Sequence, residues 1–289
     1  MIAGRPPAVL AAAGFAVFAW GATPAVTRFA VGGVDPLTVG LLRTLLAALV
    51  IAPVLALRRT PRPVSGGDRT LLAISAIGGF VVFPLLFTLG QGRTTATHGA
   101  LILAALPVLT GAIAALAERV APSPFWWLGA AVAMAGEAGL IGIRDTPAGA
   151  ATSLAGDLLV ALACVGAAAG YVAGGRLARR IGTWPTTLWG LALGGLVAAP
   201  ALAVVPLPSA AGPAEWSAIA YLAAISSIAA YAAWYWALSR GGIARVGALQ
   251  FLQPLVGVAL AVAWLAEPLT PSLAVAATAI VAGVVLCRR

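Results

Sequence analysis

Not one of the chain's seventeen basic residues is a lysine; all are arginines. That excludes a GxxxxGK phosphate loop, whose lysine reaches the phosphates, and a retinal Schiff base, which needs a lysine amine. A single histidine, His98, excludes an HExxH zinc site, which needs two, and no metal site is expected. No GxSxG elbow offers a serine nucleophile. Charged residues make up only 9% of the chain, against roughly 25% in ordinary soluble domains. Cys164 and Cys287 fall inside or at the end of apolar runs, where each reads as a small hydrophobe rather than half of a bridge.

What the chain has instead is apolar surface, with 62% of its 289 residues hydrophobic. No soluble fold of this length can hide that much from water, so the chain belongs in a bilayer. A membrane helix takes about 20 apolar residues, and ten such runs are legible: Ala8–Val31, Leu37–Leu57, Leu71–Gln91, Thr97–Ala117, Phe125–Ile143, Leu154–Leu177, Trp184–Val205, Ala214–Ser239, Ile243–Ala266 and Ser272–Cys287. Their connections are short and rich in Pro, Gly and Ser, with no room for a separate soluble domain. The first run is too long for a signal-peptide core, so it is kept as a helix.

The net charge of +9 is not a nucleic-acid footprint, because the arginines sort by loop. With a cytoplasmic N-terminus, thirteen lie on cytoplasmic segments: Arg5, Arg58, Arg59, Arg62, Arg69, Arg119, Arg176, Arg179, Arg180, Arg240, Arg245, Arg288 and Arg289. Only Arg93 and Arg144 face outward, and Arg28 and Arg43 lie within spans. Arginine retained on one side of the membrane sets orientation, which predicts both termini in the cytoplasm.

The halves of the sequence resemble each other. "RTTATHGALILAALPVLTGAIAALAERV", starting at Arg93, aligns with "RGGIARVGALQFLQPLVGVALAVAWLAEPL", starting at Arg240. Arg93 falls on Arg240, His98 on Arg245, Ala100 on Gly247 and Pro107 on Pro254, a constant offset of 240 − 93 = 147. Pro36 and Pro185 match further upstream, and beyond the prolines the first copy is two residues shorter before its acid, Glu118 against Glu267. Each half then holds five spans, with a boundary between 1–147 and 148–289. Five is odd, so the second half enters the membrane from the opposite side. Such inverted repeats mark secondary transporters, with the site at the midplane between the halves. A chance match of two Ala/Leu/Gly-rich helix sets accounts less well for the aligned prolines and acids.

Ten spans in two five-span repeats resemble the EamA branch of the drug/metabolite transporter superfamily. The stretch "LAEPLTPSLAVAATAIVAGVVL", in which Glu267 ends one span before a Gly-spaced one, carries the likeness. So does "GDLLVALACVGAAAGYVAGGRLARR", similar to that family's sixth span. The resemblance covers nearly the whole chain. It implies a secondary transporter of the bacterial inner membrane that exports amino acids or related metabolites by alternating access; YddG-type aromatic amino acid exporters are among the members considered. A multidrug or amphiphile exporter of the same superfamily is the alternative. From other classes, a membrane scaffold or an intramembrane enzyme is disfavoured. No cofactor or nucleic acid is expected, only a small-molecule substrate and lipid; the sequence leaves the oligomeric state open, a monomer being plausible.

Prolines and polar residues point to the site. A proline within a helix frees the carbonyl four residues earlier, which in lipid must find a partner or line a cavity. Pro24, Pro84, Pro107 and Pro254 would free Trp20, Phe80, Leu103 and Gln250 and turn their spans around a central cavity. Gln250 and Gln253 share one face of the ninth span, being three apart; they line a site or glue helices together. Tyr231, Trp234 and Tyr235 recur at helical spacing in span eight, with Tyr171, Phe83, Phe87 and Trp20 at depth in others; each lines a site or packs. Trp126, Trp127, Trp184 and Trp216 at span ends read as interface anchors. The predicted cavity is thus lined by Trp20, Phe83, Phe87, Leu103, Tyr171, Tyr231, Trp234, Gln250 and Gln253. Arg43, about 9 Å inside span two, and Glu137, at similar depth in span five, are intramembrane charges that could pair structurally or handle substrate or protons. His98 opens span four and could titrate near neutral pH.

Overall fold

The computed structural model describes residues 7–57, 60–93, 102–103, 105–142, 153–206, 208–209, 211–253, 255–256 and 271–287. Every regular element among them is helical. In chain order the elements are α1 (Pro7–Ala30), α2 (Pro36–Leu57), α3 (Gly66–Gln91), α4 (Leu106–Glu118), α5 (Pro124–Gly142), α6 (Leu154–Ile181), α7 (Thr183–Ala203), α8 (Pro213–Gly241), α9 (Ile243–Leu252) and α10 (Pro271–Cys287). Six of them, α1, α2, α3, α6, α7 and α8, are long and apolar enough to cross a bilayer.

The helix ends follow local chemistry. Ser65 accepts a hydrogen bond from the Asp68 amide, and Ser153 one from Gly156, each satisfying an orphan donor of a first turn. Gly182 (φ 95°) and Gly242 (φ 85°) end α6 and α8 in backbone that a side chain would strain, so each helix reverses within one residue into the next. Arg119 ends α4 in the left-handed region at φ 55°. α6 runs four residues beyond its expected apolar end, to Ile181, and in its last turn Arg179 pairs with Glu118 and Arg180 with Asp68, the latter at 2.7 Å.

The surface is the reverse of a soluble protein's. Phe18, Leu49 and Leu196 are more than half exposed (55%, 68% and 73%), while Thr44, Arg43, Ser226 and Thr186 are buried. Large apolar faces turned outward with polar groups inside suit a lipid solvent.

Helix pairing repeats. α1 packs on α8 and α6 on α3; α2 packs on α8 and α7 on α3; α4 packs on α6 and α9 on α1. α2 with α7, α4 with α9, and α5 with α10 also pair. Advancing each helix number by five maps the first three pairs onto their partners and leaves the last three unchanged. Two α-helices also widen into π-helical turns, Ala76–Val82 in α3 and Leu222–Ala229 in α8. From Ala76 to Leu222 is 146 residues and from Val82 to Ala229 is 147, the spacing legible in the sequence. A π-turn inserts one residue into the ladder and marks functional sites more often than chance.

Candidate functional site

The prolines act through local backbone. Pro84 follows the π-turn of α3, and the carbonyl it frees, Phe80, accepts a 2.7 Å hydrogen bond from the Thr44 hydroxyl of α2. The freed group is thereby satisfied by a neighbouring helix, as lipid requires. Pro24 leaves α1 helical; one turn back, the hydroxyls of Thr23 and Tyr221 both donate to the Ala19 carbonyl, at 3.0 and 2.8 Å. Pro107 does not interrupt a described helix but stands in the first turn of α4, where its missing N–H costs nothing. Pro254 and His98 lie outside the described residues. Just before Pro254 the chain tightens into a 3₁₀ turn, Ala248–Leu252. At three residues per turn, Gln250 and Gln253 lie one above the other.

Four expected site residues come together. The Trp20 ring stacks on Tyr171 at 5.2 Å between centroids and meets the Tyr231 and Trp234 rings edge-on at 5.2 and 5.4 Å. Tyr171 is 5.7 Å from Tyr231 and 5.9 Å from Trp234. Helices α1, α6 and α8 thus supply one aromatic cluster that draws on both halves of the chain. Trp20, Tyr171, Tyr231 and Trp234 are all buried, so the rings are closed against one another. Phe83 and Phe87 form a separate stacked pair on α3, 5.3 Å apart. Leu103 packs half-buried against the same core. The backbone of Gln253 abuts Gly21 of α1, beside Trp20: a Cβ on that glycine would stand 2.8 Å from the Gln253 carbonyl oxygen. Only glycine lets α9 approach α1 so closely.

Polar groups of this cluster divide sharply. Trp20 Nε1 donates to the Ser226 carbonyl at 3.0 Å, Tyr231 to the Gly79 carbonyl at 2.8 Å, and Tyr235 and Ser75 share a 2.8 Å hydrogen bond. The last two join α8 to α3. By contrast, both amide atoms of Gln250, Nε2 of Gln253 and Nε1 of Trp234 are buried without a protein partner. Buried polar atoms are nearly always paired, so these four are groups that packing within the protein leaves unsatisfied.

Arg43 is buried in α2, with 1% of its surface exposed. Its Nη2 donates to Ser226 Oγ at 2.9 Å and its Nε to Ser227 Oγ at 3.3 Å. Both serines sit in the π-turn of α8. The described hydrogen bonds of Arg43 therefore run to α8; Glu137 lies in α5, and its side chain is outside the description. Ser226, Ser227, Thr23 and Thr44 were not singled out from the sequence. The adjacent serines of "AISSIAA" were the available signal. Trp126 departs from its expected interface role: it is 2% exposed and packs against Gly111 of α4, whereas Trp127 and Trp184 are 47% and 58% exposed, as interface anchors would be. Cys164 and Cys287 are free and buried, the first beside the Ile102 carbonyl at 3.7 Å and the second beside that of Trp126 at 3.3 Å. Among the described residues no group of three His, Cys, Asp or Glu side chains could hold a metal.

Comparison with known proteins agrees with this architecture. The sequence profile of the EamA-like transporter family matches the chain twice, over residues 7–142 and 154–289. The chain is 32% identical over 277 residues to the uncharacterized transporter YdeK of Bacillus subtilis (strain 168), covering 93% of this chain and 92% of that protein. It is 23% identical over 273 residues to the uncharacterized transporter sll0355 of Synechocystis sp. (strain ATCC 27184 / PCC 6803 / Kazusa), covering 88% and 81%. A crystal structure of a protein 22% identical in sequence superposes with a TM-score of 0.77 over 98% of this chain and 96% of that one, a likeness of fold. The chain belongs to the EamA-like transporter family of the drug/metabolite transporter superfamily, and is a membrane transporter rather than an enzyme.

Proposed function

We propose that the chain is a secondary transporter of the bacterial inner membrane that exports amino acids, aromatic ones among them, by alternating access. Its ten helices all span, as two inverted five-helix repeats, residues 1–147 and 148–289, with both termini cytoplasmic. The exchange of helix pairs under a shift of five supports the repeat, and so do the π-turns 146 to 147 residues apart. The thirteen arginines on one side support the orientation.

The observation that carries the transport site is the closed cluster of Trp20, Tyr171, Tyr231 and Trp234, drawn from both halves, with the unpartnered amides of Gln250 and Gln253 on and just after α9, which packs against α1. Aromatic walls with a few polar groups are the usual lining of a small-molecule site. The rings supply contact area, and Gln250 and Gln253 orient the solute. Phe83 and Phe87 on α3, and Leu103 ahead of α4, extend the wall. In alternating access one side of such a site is always shut, and the mutual stacking of the rings is that shut packing. Glu137 is the intramembrane carboxylate for proton coupling, with His98 behind it.

Counterflow in proteoliposomes tests this. Purified protein preloaded with unlabelled tryptophan, phenylalanine or leucine should accumulate the labelled counterpart, and a Trp234→Ala variant should lose most of that signal. Equal accumulation in protein-free vesicles would defeat the amino acid reading. Preference for amphipathic amines over all amino acids would favour the multidrug alternative.

A further inference from the structure

We propose that Arg43, held by Ser226 and Ser227, is the anion-recognising end of this site and pairs with a carboxylate of the transported solute. The proposal rests on the transport reading and adds the charge that the solute must carry. Arginine stays protonated in proteins and offers five N–H donors in a planar fork. Here the Nε and Nη2 edge is taken by the two serine hydroxyls, and Nη1 is buried without a protein acceptor.

The serines do not neutralise it. Ser227 Oγ donates to the Leu222 carbonyl at 2.8 Å, so it meets Arg43 only as a neutral acceptor. Thr23 Oγ1 donates to the Ala19 carbonyl, so its 3.1 Å hydrogen bond with Ser226 is donated by the serine. Hydrogen-bond donation therefore runs from Arg43 to Ser226, from Ser226 to Thr23 and from Thr23 to the Ala19 carbonyl, with no carboxylate among these groups. The acids whose partners are described are engaged elsewhere. Asp35 accepts from Thr38, Asp68 pairs with Arg180, Glu118 with Arg179, and Glu215 accepts from the Gly212 amide. Glu137 is on α5, whose main described packing is against α10.

Among the described side chains no carboxylate pairs with Arg43, and a cation at this depth is costly and defaults to function. Its position fits the site. The Ser226 residue that accepts from Arg43 through its hydroxyl also accepts from Trp20, one of the clustered rings, through its carbonyl. A carboxylate paired with Arg43 would thus lie beside the α8 turn that also holds the Trp20 indole. An arginine fork matches a carboxylate, and the same charge repels an amine-only solute.

Three isosteres separate the possibilities: 3-phenylpropionate, 3-phenylpropionamide and 3-phenylpropylamine, titrated against the full-length protein in detergent with its melting temperature as readout. A ligand of the folded state raises that temperature as it saturates. The acid should bind at least tenfold more tightly than the amide, with no saturable response to the amine. In Arg43→Gln the acid should lose this advantage while the amide keeps its affinity. Equal affinities for acid and amide in the wild-type protein overturn the proposal, as does no response to the acid at all. An equal response to inorganic phosphate or chloride overturns the carboxylate assignment. Should Arg43→Gln not fold, the wild-type comparison decides alone. Flux of the amide and acid alike would sink the subsite and leave the transporter; acid-selective binding without counterflow of any solute would do the reverse.

Discussion

Gln253 shows how little one side chain's identity reveals until its neighbours are known. In an apolar helix an amide reads equally as helix glue or as a site group. Its Nε2 is buried without a protein partner, as are both amide atoms of Gln250, whereas helix glue works by bonding across helices. Gln253→Leu copies the first repeat's Leu106 in shape, so the variant should fold. If the amide holds the solute, losing it costs about 1–3 kcal/mol, or roughly tenfold or more in affinity. Counterflow with a monodisperse variant measures this, and unchanged rates would return Gln253 to a packing role. Gly170 makes a prediction of the opposite kind. A Cβ there would stand 2.8 Å from the Gly79 amide nitrogen across the α3–α6 contact. Gly170→Ala should lower stability by about 1–3 kcal/mol through overpacking, read as a lower melting temperature in detergent.

At the scale of the element, the two π-turns concentrate what the site needs. In α3 the turn carries the Gly79 carbonyl that accepts from Tyr231 and the Phe80 carbonyl that accepts from Thr44. In α8 it carries Ser226 and Ser227 beneath Arg43. Pro84 explains the need for Thr44, since the Phe80 carbonyl has no amide to meet. Thr44→Val keeps the shape and removes the donor. It should cost about 1–3 kcal/mol, the penalty for a buried unsatisfied acceptor. The check is a thermal melt beside Thr187→Val, where the lost hydrogen bond is a local one to the Thr183 carbonyl. Equal losses in both variants would show the proline-freed carbonyl to be of no special consequence.

For the whole molecule, the prediction concerns topology. Alkaline phosphatase fused to the C-terminus should be inactive, and a fluorescent protein that matures only in the cytoplasm should glow there. An active phosphatase would reverse the arginine argument. Inserting a phosphatase in the segment between α5 and α6 should give the opposite result, because the proposed topology puts five spans between that segment and the N-terminus.

Much of this was legible from composition and spacing. Membrane residence followed from apolar content that no core could hide. The helix bounds fell within a few residues of expectation wherever Pro, Gly or Ser punctuated the runs, as at Pro36, Pro124, Pro213 and Pro271. The offset of 147 foretold where the second π-turn would stand relative to the first, although nothing in the hydropathy foretold the turns themselves. Family membership was legible too, because it resides in whole-chain pattern. What only the tertiary structure decided was which polar groups find partners. Trp20 and Trp234 are alike in sequence as mid-span tryptophans, yet one indole donates to Ser226 and the other to nothing. Trp126 and Trp127 are adjacent, yet one is buried on Gly111 and the other exposed. Arg43 was visible as a charge in an apolar run, but not that its partners are two serines on α8. Periodicity fixes the face a residue occupies on its own helix; the partner it meets there depends on helices distant in sequence, brought close by packing.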